Sequence, residues 1–301
     1  MSWWRGFADR IERDAPLGRR TWFRVGGRVR LLFRPRDTDD LAAMLTRARD
    51  ADVPVKVLGA GANVLVSDDG FDGVVIRLTA DSFRRLERRG ESLEVGAGVD
   101  LMRFARDCSA QGLSGIEGLA GIPGTIGGAI RMNAGGRFGD TADVVDNVTV
   151  VGPEGTVERW PRARVGFGYR RSAIADRIVV SARFVLREDD PAQTAERFDA
   201  CFRSKRASQP MSDRSAGCVF KNPEGRSAGS LIDQAGLKGA RSGRASVSDR
   251  HANFIVAEPG ATASDVLRLI DLVRERVCRV FDVELELEVD IWRPSTERIS
   301  V

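Results

Sequence analysis

The sequence is poor in histidine, tyrosine and cysteine. Its 301 residues include one histidine, one tyrosine and four cysteines. A single histidine excludes sites that need two, and a Ser-His-Asp mechanism would have to use His251. No two cysteines have C-x-x-C spacing, which argues against zinc ribbons, thioredoxin-like redox motifs and c-type haem attachment. We expect reduced thiols, with two disulfides as the alternative; the cysteines are Cys108, Cys201, Cys218 and Cys278.

Long apolar runs and clustered charge are also lacking. No run approaches the roughly 18 apolar residues of a membrane span, and the first residues lack the basic and apolar regions of a signal peptide. The net charge is +4, and the 47 basic residues are nearly all arginines interleaved with acids. We therefore expect no membrane partner, no nucleic-acid partner and a cytoplasmic location.

The remaining composition is typical of a soluble globular protein with two domains. The chain is 42% hydrophobic and 30% charged. A typical length of about 150 residues per domain predicts two domains. The clearest boundary signal is Asp189-Asp-Pro191, which separates residues 1–188 from residues 189–301.

Hydrophobic periodicity predicts a mixture of strands and helices. Predicted strands cover residues 29–34, 53–58, 64–67, 73–78, 93–95, 147–152, 156–160, 178–186, 252–257 and 283–292. Predicted helices cover 39–50, 100–111, 192–204 and 263–281, the last with a capping box formed by Thr262 and Asp265. Alternation within 283–289 places Glu284, Glu286 and Glu288 on one strand face, a pattern typical of residues that face solvent.

Two glycine-rich runs lie in the predicted first domain. Gly59-Ala-Gly61 is not a dinucleotide fingerprint, because a turn-rich stretch rather than a helix leads from it to the strand at residue 73. Gly121-Ile-Pro-Gly-Thr-Ile-Gly-Gly128 combines glycines that permit close approach with a proline that stiffens the turn. Backbone N–H groups of such loops can point at an anion. Each run alone is more typical of a tight turn, but two in one domain indicate a pyrophosphate ligand.

Nine blocks of the chain resemble the UDP-N-acetylenolpyruvoylglucosamine reductase family, in the family's order and over nearly the whole length. They are TWFRVGG (21–27), LGAGANVLV (58–66), GIPGTIGGA (121–129), MNAGG (132–136), FGYRRS (167–172), GCVFKNP (217–223), LIDQAGLKG (231–239), HANF (251–254) and LELEV (285–289). The short connection between Tyr169 and Cys218 resembles the compact form of the family, which lacks an extra substrate-closing loop.

The resemblance implies an α+β protein with two domains. Residues 1–188 would form an FAD-binding domain of the vanillyl-alcohol-oxidase (PCMH) type, with subdomains at about 1–79 and 80–188. Residues 189–301 would form an α/β substrate-binding domain. FAD would be bound noncovalently. The single histidine supports this expectation, because it lies far downstream of both glycine runs. The implied cofactor-binding residues are Gly59, Ala60, Gly61, Ala62, Asn63, Val64, Leu65, Ile122, Pro123, Gly124, Thr125, Gly127, Gly128, Ala129, Asn133 and Ala134.

The implied reaction has two halves. NADPH would reduce FAD, and hydride would then pass to C3 of the enolpyruvyl group of UDP-N-acetylglucosamine enolpyruvate. Charge that develops at C2 and on the adjacent carboxylate needs cationic or hydrogen-bonding partners and a proton donor. The family's catalytic positions correspond to Arg170 for the carboxylate, Glu288 for the carboxyl group and Cys218 for the proton.

Cys218 departs from the family pattern, because serine usually stands at this position. A thiol with a reference pKa of about 8.5 is a stronger acid than a hydroxyl, so proton donation remains reasonable. A thiol can also be oxidised or alkylated. Without the family resemblance, Arg170 is typical of an arginine in solvent and Glu288 of a glutamate on a solvent-facing strand. Cys218 is then typical of a small buried cysteine.

Further family positions would contact the sugar nucleotide, and these are Tyr169, Lys221, Asn222, Lys238 and His251. A lone histidine before an apolar strand is as often structural as functional. No metal is expected, and we expect a monomer. Two alternatives are another flavoenzyme of the same fold and a noncatalytic relative. The second is favoured only by Cys218 and by Arg244, which replaces a second glycine often found after Gly243.

Overall fold

The computed structural model describes residues 3–294, so residues 1–2 and 295–301 at the ends of the two predicted domains lie outside it. The α-helices are α1 (Thr38–Asp50), α2 (Leu101–Ala110), α3 (Ile126–Met132), α4 (Arg162–Val165), α5 (Pro191–Ser208), α6 (Ala228–Gln234) and α7 (Ala263–Phe281). Short 3-10 helices cover Arg5–Arg10, Gly18–Arg20, Asp81–Phe83, Glu117–Leu119 and Thr141–Asp143.

The strands are mostly short. They are β1 (Ile11–Pro16), β2 (Arg28–Phe33), β3 (Val55–Val57), β4 (Val64–Val66), β5 (Phe71–Ile76), β6 (Leu86–Arg89), β7 (Ser92–Gly96), β8 (Leu113–Ser114), β9 (Gly135–Gly136), β10 (Gly139–Asp140), β11 (Val145–Val151), β12 (Val157–Pro161), β13 (Ile178–Val185), β14 (Arg187–Glu188), β15 (Arg241–Ser242), β16 (Ala245–Val247), β17 (Ile255–Ala257) and β18 (Asp290–Trp292). Mixed α and β content was expected and is confirmed.

The chain divides into two compact units that are discontinuous in sequence. Unit 1 comprises Met1–Arg13, Leu31–Ala60 and Gly73–Lys205, and unit 2 comprises Asp14–Arg30, Gly61–Asp72 and Arg206–Val301. These divisions differ from the boundary at residues 188 and 189, because most of α5 belongs to unit 1. The functional domains 1–188 and 189–301 stay a prediction.

Unit 1 contains a five-stranded antiparallel sheet in the order β12-β11-β13-β7-β6. Its central strands are rich in β-branched residues, which favour strands. Helix α2 begins after Asp100, whose carboxylate accepts the N–H of Arg103 at 2.7 Å, as an N-cap residue does. Phe104 of α2 packs edge-on against Phe184 of β13, with ring centroids 5.1 Å apart. This core supports the segment that follows β7, which contacts the second glycine run.

A second sheet has the strand order β1-β2-β5-β3, and β3 and β5 are parallel. Helix α1 follows β2 and is capped by Asp37, which accepts the N–H of Asp40 at 2.9 Å. After β3, the N–H of Leu58 still bonds the carbonyl of Ile76 at 2.9 Å. The end of β3 therefore fixes where the first glycine run begins, at Gly59.

Unit 2 combines a three-stranded antiparallel sheet, β15-β16-β17, with helices α6 and α7 and the parallel pair β4–β18. The predicted capping box is confirmed: Thr262 and Asp265 bond each other's backbone N–H groups at the start of α7. The predicted helix 263–281 is confirmed with the same bounds. Its buried face includes Val266, Ile270 and Val273.

The predicted strand at 283–292 is wrong for most of its length, because only Asp290–Trp292 forms a strand. The segment before it pairs with residues 219–221 through isolated backbone contacts of Glu286, Leu287 and Glu288. These contacts do not form a continuous ladder of strand hydrogen bonds. Glu284 and Glu286 are exposed as expected, but Glu288 is half-buried. Glu288 is therefore less exposed than the alternation alone indicates.

Helices α3, α4 and α6 were not predicted, and neither were strands β1, β6, β8, β9, β10, β14, β15 and β16. α3 begins inside the second glycine run because the side chain of Thr125 caps it, accepting the N–H of Gly128 at 3.4 Å. The other predicted elements are present with ends shifted by a few residues. Across residues 3–294, no helix is both long enough and apolar enough to cross a membrane.

Asp68 joins the loop after β4 to the start of α7 in unit 2. Its carboxylate accepts the N–H groups of Ala263 and Ser264 at 2.8 and 2.9 Å and the Ser264 hydroxyl at 2.7 Å. Burial alone raises the pKa of Asp68, but these hydrogen bonds outweigh it and hold the pKa below its usual 3.8. The contact therefore stabilises the fold at neutral pH and is lost as the pH falls through the lowered, folded-state pKa.

Replacing Asp68 with asparagine should lower the stability at pH 7 by about 1 kcal/mol, the usual size of a cap contact at a helix start. Thermal unfolding of both proteins between pH 7 and pH 2 measures the effect. The difference should shrink with acid, because the wild-type carboxylate becomes protonated. Asp69→Asn is the matched control, since Asp69 is an exposed neighbouring acid. Equal stability of Asp68→Asn and wild type at pH 7 would contradict this role.

Candidate active site

The two glycine runs meet at a cavity in unit 1. Gly59, Ala60, Thr125, Gly127 and Gly128 line this cavity, which has a volume of about 260 Å³. A Cβ on Gly59 would lie 2.6 Å from Oγ1 of Thr125. The two runs therefore approach more closely than a side chain at residue 59 would allow.

The second glycine run is held rigidly by backbone hydrogen bonds. The N–H groups of Ile126 and Gly127 bond the carbonyls of Val99 and Ala97 at 3.0 and 2.9 Å. A Cβ on Gly127 would lie 3.1 Å from that of Ala97. The run is thus a preformed wall of the cavity, and the predicted residues Ile122, Pro123, Gly124 and Ala129 belong to the same segment of unit 1.

Arginine side chains also line this cavity, and the sequence did not single them out. They are Arg77, Arg84, Arg131 and Arg177. With arginines spread through the whole chain, nothing in the pattern distinguishes these four. Cationic side chains beside close-packed glycine backbone suit a diphosphate, because guanidinium groups bind phosphate oxygens in pairs. The residues present therefore fit the diphosphate of FAD.

Asn133 uses both ends of its amide to join two parts of unit 1. It ends α3 in the left-handed conformation, with φ +42°. Its Nδ2 donates to the carbonyl of Gly168 at 3.1 Å, and its Oδ1 accepts the N–H of Ala142 at 2.9 Å. Asn133 thus positions the chain just before Arg170. A contact of Asn133 or Ala134 with FAD stays a prediction.

The side chain of Arg170 is held from several sides. Its guanidinium donates to the carbonyl of Gly135 at 2.8 Å and lies 3.6 Å from a carboxylate oxygen of Asp140. It also lies over the ring of Tyr169, 5.1 Å from the ring centroid. The backbone of Arg170 is left-handed, with φ +54°, an uncommon conformation outside glycine that recurs at functional sites. Tyr169 itself is exposed.

Unit 2 places Cys218 and Glu288 on neighbouring backbone segments. Cys218 pairs with Phe254 in an isolated β-bridge. On the other side, the N–H of Glu288 donates to the carbonyl of Val219 at 2.8 Å. Both side chains are half-buried. The backbone segments that carry the two predicted catalytic residues of unit 2 are thus neighbours across one hydrogen-bonded junction.

Asn253, which was not among the predicted site residues, fixes this junction. It is 3% exposed. Its side chain brackets Phe220, accepting the N–H at 2.9 Å and donating to the carbonyl at 2.7 Å. Its backbone carbonyl accepts the N–H of Val219 at 2.8 Å. Its place in the block beside His251 was the available signal.

The unit 2 part of the first glycine run also contacts Glu288. The amide of Asn63 donates to the Glu288 carbonyl at 3.0 Å, and the carbonyl of Asn63 accepts the N–H of Asp290 at 3.0 Å. Gly61 has a φ of +70°, and a Cβ there would lie 2.5 Å from the carbonyl oxygen of Arg20. The run from Gly61 through Ala62, Asn63, Val64 and Leu65 is therefore a rigid connection within unit 2.

The predicted phosphate-binding lysines are both in ion pairs. Lys221 pairs with Glu286, and Lys238 lies 2.7 Å from Asp233. The side chain of Asn222 accepts the N–H of Ala228 at 3.0 Å, at the start of α6. These contacts give each residue a structural role. Their binding of the sugar nucleotide stays a prediction.

His251 is half-buried and packs edge-on against Phe254, with ring centroids 4.8 Å apart. Its Nδ1 accepts the N–H of Asn253 at 3.3 Å. Burial lowers the pKa of His251, because the charged imidazolium is poorly solvated there. His251 is therefore neutral at neutral pH and helps to orient Asn253.

Cys108 and Cys201 are poorly suited to acid–base work near neutral pH. Burial raises the pKa of Cys108 to about 12 and also raises the pKa of Cys201. Within the described part of the chain, no cysteine forms a disulfide, and no cluster of three or more histidine, cysteine or acidic side chains could hold a metal. Arg244 does not have a positive φ, so the backbone accommodates it without strain.

The chain thus combines a cavity that fits the diphosphate of FAD with a second unit of mixed helix and strand. Residues 29–160 match the family described as FAD binding domain, and residues 209–292 match the C-terminal domain of UDP-N-acetylenolpyruvoylglucosamine reductase. The expected fold class is therefore confirmed.

Whole-chain comparisons identify the family. The chain is 44% identical over 285 residues to UDP-N-acetylenolpyruvoylglucosamine reductase 2 of Symbiobacterium thermophilum, covering 94% of this chain and 92% of that protein. It is 44% identical to the corresponding reductase of Anaeromyxobacter sp., covering 95% and 91%. The crystal structure of the Thermus caldophilus reductase matches with a TM-score of 0.83 and 39% identity, covering 94% and 99%. The chain belongs to the UDP-N-acetylenolpyruvoylglucosamine reductase family, a family of oxidoreductases.

Replacing Gly59 with alanine should weaken FAD retention at least tenfold, because the new Cβ meets Oγ1 of Thr125, and a shift of about 1.4 kcal/mol suffices for that factor. The dissociation constant for FAD of the deflavinated protein measures the change. Gly136→Ala is the matched control, since nothing lies within 4 Å of its Cβ position. Unchanged FAD affinity in Gly59→Ala would contradict the close approach.

Proposed function

We propose that the protein reduces UDP-N-acetylglucosamine enolpyruvate to UDP-N-acetylmuramate, with noncovalently bound FAD and with NADPH as the hydride donor. Family membership over 94% of the chain supports the reaction class. The observation that carries the proposal is the junction in unit 2 that sets Cys218 beside the backbone of Glu288. It joins a proton donor and a carboxyl group, the two groups that reduction of an enolpyruvyl ether requires from this unit.

Bound FAD would supply the hydride chemistry, accepting hydride from NADPH and delivering hydride to C3 of the enolpyruvyl group. Gly59, Ala60 and the run from Ile122 to Ala129 hold it in the proposal. Arg77, Arg84, Arg131 and Arg177 are added to the predicted set because they line the same cavity.

Arg170 binds the substrate carboxylate in this proposal. Its planar guanidinium can engage both carboxylate oxygens, which stabilises the charge that develops there as hydride arrives. Contacts with Gly135, Asp140 and Tyr169 hold the guanidinium in advance. An arginine that is already positioned loses less side-chain entropy when the carboxylate binds.

Cys218 gives its proton to C2 in this proposal, and solvent later returns a proton to the thiolate. Hydride at C3 and a proton at C2 together saturate the double bond, so atoms and charge balance. Glu288, in its protonated form, donates a hydrogen bond to the substrate carboxyl group. Asn253 and Asn63 act through the backbone, since they fix the segments that carry Cys218 and Glu288.

A reactive thiol is best preserved in a reducing compartment, because oxidation would remove its proton. We therefore propose that the enzyme acts in the cytoplasm. The expectation of a monomer stays a prediction.

Tyr169, Lys221, Asn222, Lys238 and His251 are each proposed to contact the sugar nucleotide.

The function is tested by steady-state NADPH oxidation with the purified, yellow protein. Oxidation should depend on UDP-N-acetylglucosamine enolpyruvate and should yield UDP-N-acetylmuramate in equal amount. Oxidation without this substrate, or none with it, would overturn the proposal. The first outcome would favour another flavoenzyme activity, and the second would favour a noncatalytic relative.

The role of Cys218 is tested by paired substitutions. Cys218→Ser should keep substantial turnover because a hydroxyl can also donate a proton. Cys218→Ala should lose about 100-fold or more, the usual contribution of a general acid, while flavin reduction by NADPH stays unchanged. Cys278→Ala is the control, since this thiol is exposed in the same unit 2. Full turnover in Cys218→Ala would refute proton donation by the thiol.

A further inference from the structure

Helix α5 lies between the segments that match the two families, 29–160 and 209–292. Arg197, Cys201 and Lys205 are spaced four residues apart and therefore share one helix face. Nε of Arg197 donates to a carboxylate oxygen of Glu117 at 3.0 Å. Nζ of Lys205 donates to the carbonyls of Gly118 and Ala120 at 2.9 and 2.6 Å. This face thus contacts three of the four residues 117–120, namely Glu117, Gly118 and Ala120.

The bound segment leads directly into the second glycine run. Ala120 precedes Gly121, whose φ is +75°, and the run continues to the cavity wall at Thr125 and Gly127. At the other end, Glu117 accepts the N–H of Gly115 at 2.6 Å. Lys205 therefore holds the last peptide groups before the run turns towards the cavity.

The ammonium of Lys205 is half-buried, and its charged neighbours come from several elements. Cys201 lies on its own helix, and Arg170 approaches from the loop after α4. Glu117 and Arg137 face the neighbouring Cys201. Burial, with a smaller contribution from Arg170, lowers the pKa of Lys205 to about 8. The ammonium is thus present at neutral pH and is lost as the pH rises above about 8.

Helix α5 does not depend on Lys205 for its attachment to unit 1. Phe198 is 4% exposed in the main core, and Phe202 packs against the same core. Arg197 also bonds Asp189 at 2.6 Å. Loss of the lysine charge should therefore alter the conformation of the second glycine run without detaching α5 from unit 1.

We propose that Lys205 is a positioning residue for the FAD site, because its ammonium holds the carbonyls of Gly118 and Ala120 and thereby sets the second glycine run in its FAD-binding conformation. Hydrogen bonds from a charged donor are about twice as strong as neutral ones, so the amine holds these carbonyls less well than the ammonium. The inference rests on the FAD site of the proposed function and is independent of which substrate is reduced.

The test measures the dissociation constant for FAD of the deflavinated full-length protein between pH 6.5 and pH 9.5, by flavin fluorescence. Wild-type affinity should fall about tenfold across this range, as expected for loss of one charged hydrogen-bonding group. Lys205→Met should show the weak affinity at every pH. Lys205→Arg keeps its charge throughout and should bind tightly with a flat profile.

Arg203→Met is the matched control, since Arg203 is an exposed cation of the same helix that pairs with Glu196. Thermal unfolding of each apoprotein checks that α5 and unit 1 remain folded. Wild-type affinity and pH dependence in Lys205→Met would overturn the inference, and so would a loss in Lys205→Arg equal to that in Lys205→Met. Failure of every variant and of wild type to bind FAD would instead overturn the proposed FAD site.

Discussion

The buried amide of Asn253 is the interaction on which the geometry of unit 2 depends. It brackets both backbone groups of Phe220, so the residues on either side, from Cys218 to Lys221, have little freedom to rotate. An apolar residue at 253 would leave the buried N–H and carbonyl of Phe220 without these partners, at a cost of about 1–3 kcal/mol for each group. The neutral, half-buried His251 bonds the N–H of Asn253 and so supports the bracket from the other side. A lone histidine that looked equally structural and functional is thus part of the scaffold of the proposed proton donor.

A comparable constraint operates in unit 1, where it is steric. Gly59 and Thr125 leave no room for a Cβ between them, and the second glycine run is tied to Ala97 and Val99 by backbone hydrogen bonds. A preformed cavity of this kind loses little conformational entropy when its ligand binds. Arg170 should likewise lose little conformational entropy when its ligand binds, because a carbonyl, a carboxylate and an aromatic ring already hold its side chain.

Features with a strong local signal could be predicted from the sequence. The capping box at Thr262 and the apolar periodicity after it define α7. Four strands of the five-stranded sheet follow from β-branched runs, whereas β6 was missed because its residues, LERR, are mostly charged. The alternation at 283–289 led to the wrong prediction of a strand there. The residues that pair with this segment, 219–221, form an irregular segment held by Asn253, and periodicity cannot reveal such a partner. α3 was missed because glycines obscured the Thr125 cap. The arginines of the cavity could not be singled out because arginine is abundant throughout the chain. The contact of Lys205 was missed because the carbonyls that it binds lie some 85 residues away in sequence, and no local pattern predicts a contact at that separation.

The account is tested most directly by the transfer of hydride to the enolpyruvyl group. The purified protein is treated with NADPH without oxygen until the flavin absorbance is bleached, and UDP-N-acetylglucosamine enolpyruvate is then added. The account predicts that the absorbance returns in proportion to the substrate added, whereas UDP-N-acetylglucosamine without the enolpyruvyl group restores none. Absorbance that stays bleached with the enolpyruvate, or returns equally with the sugar nucleotide that lacks it, would contradict the account.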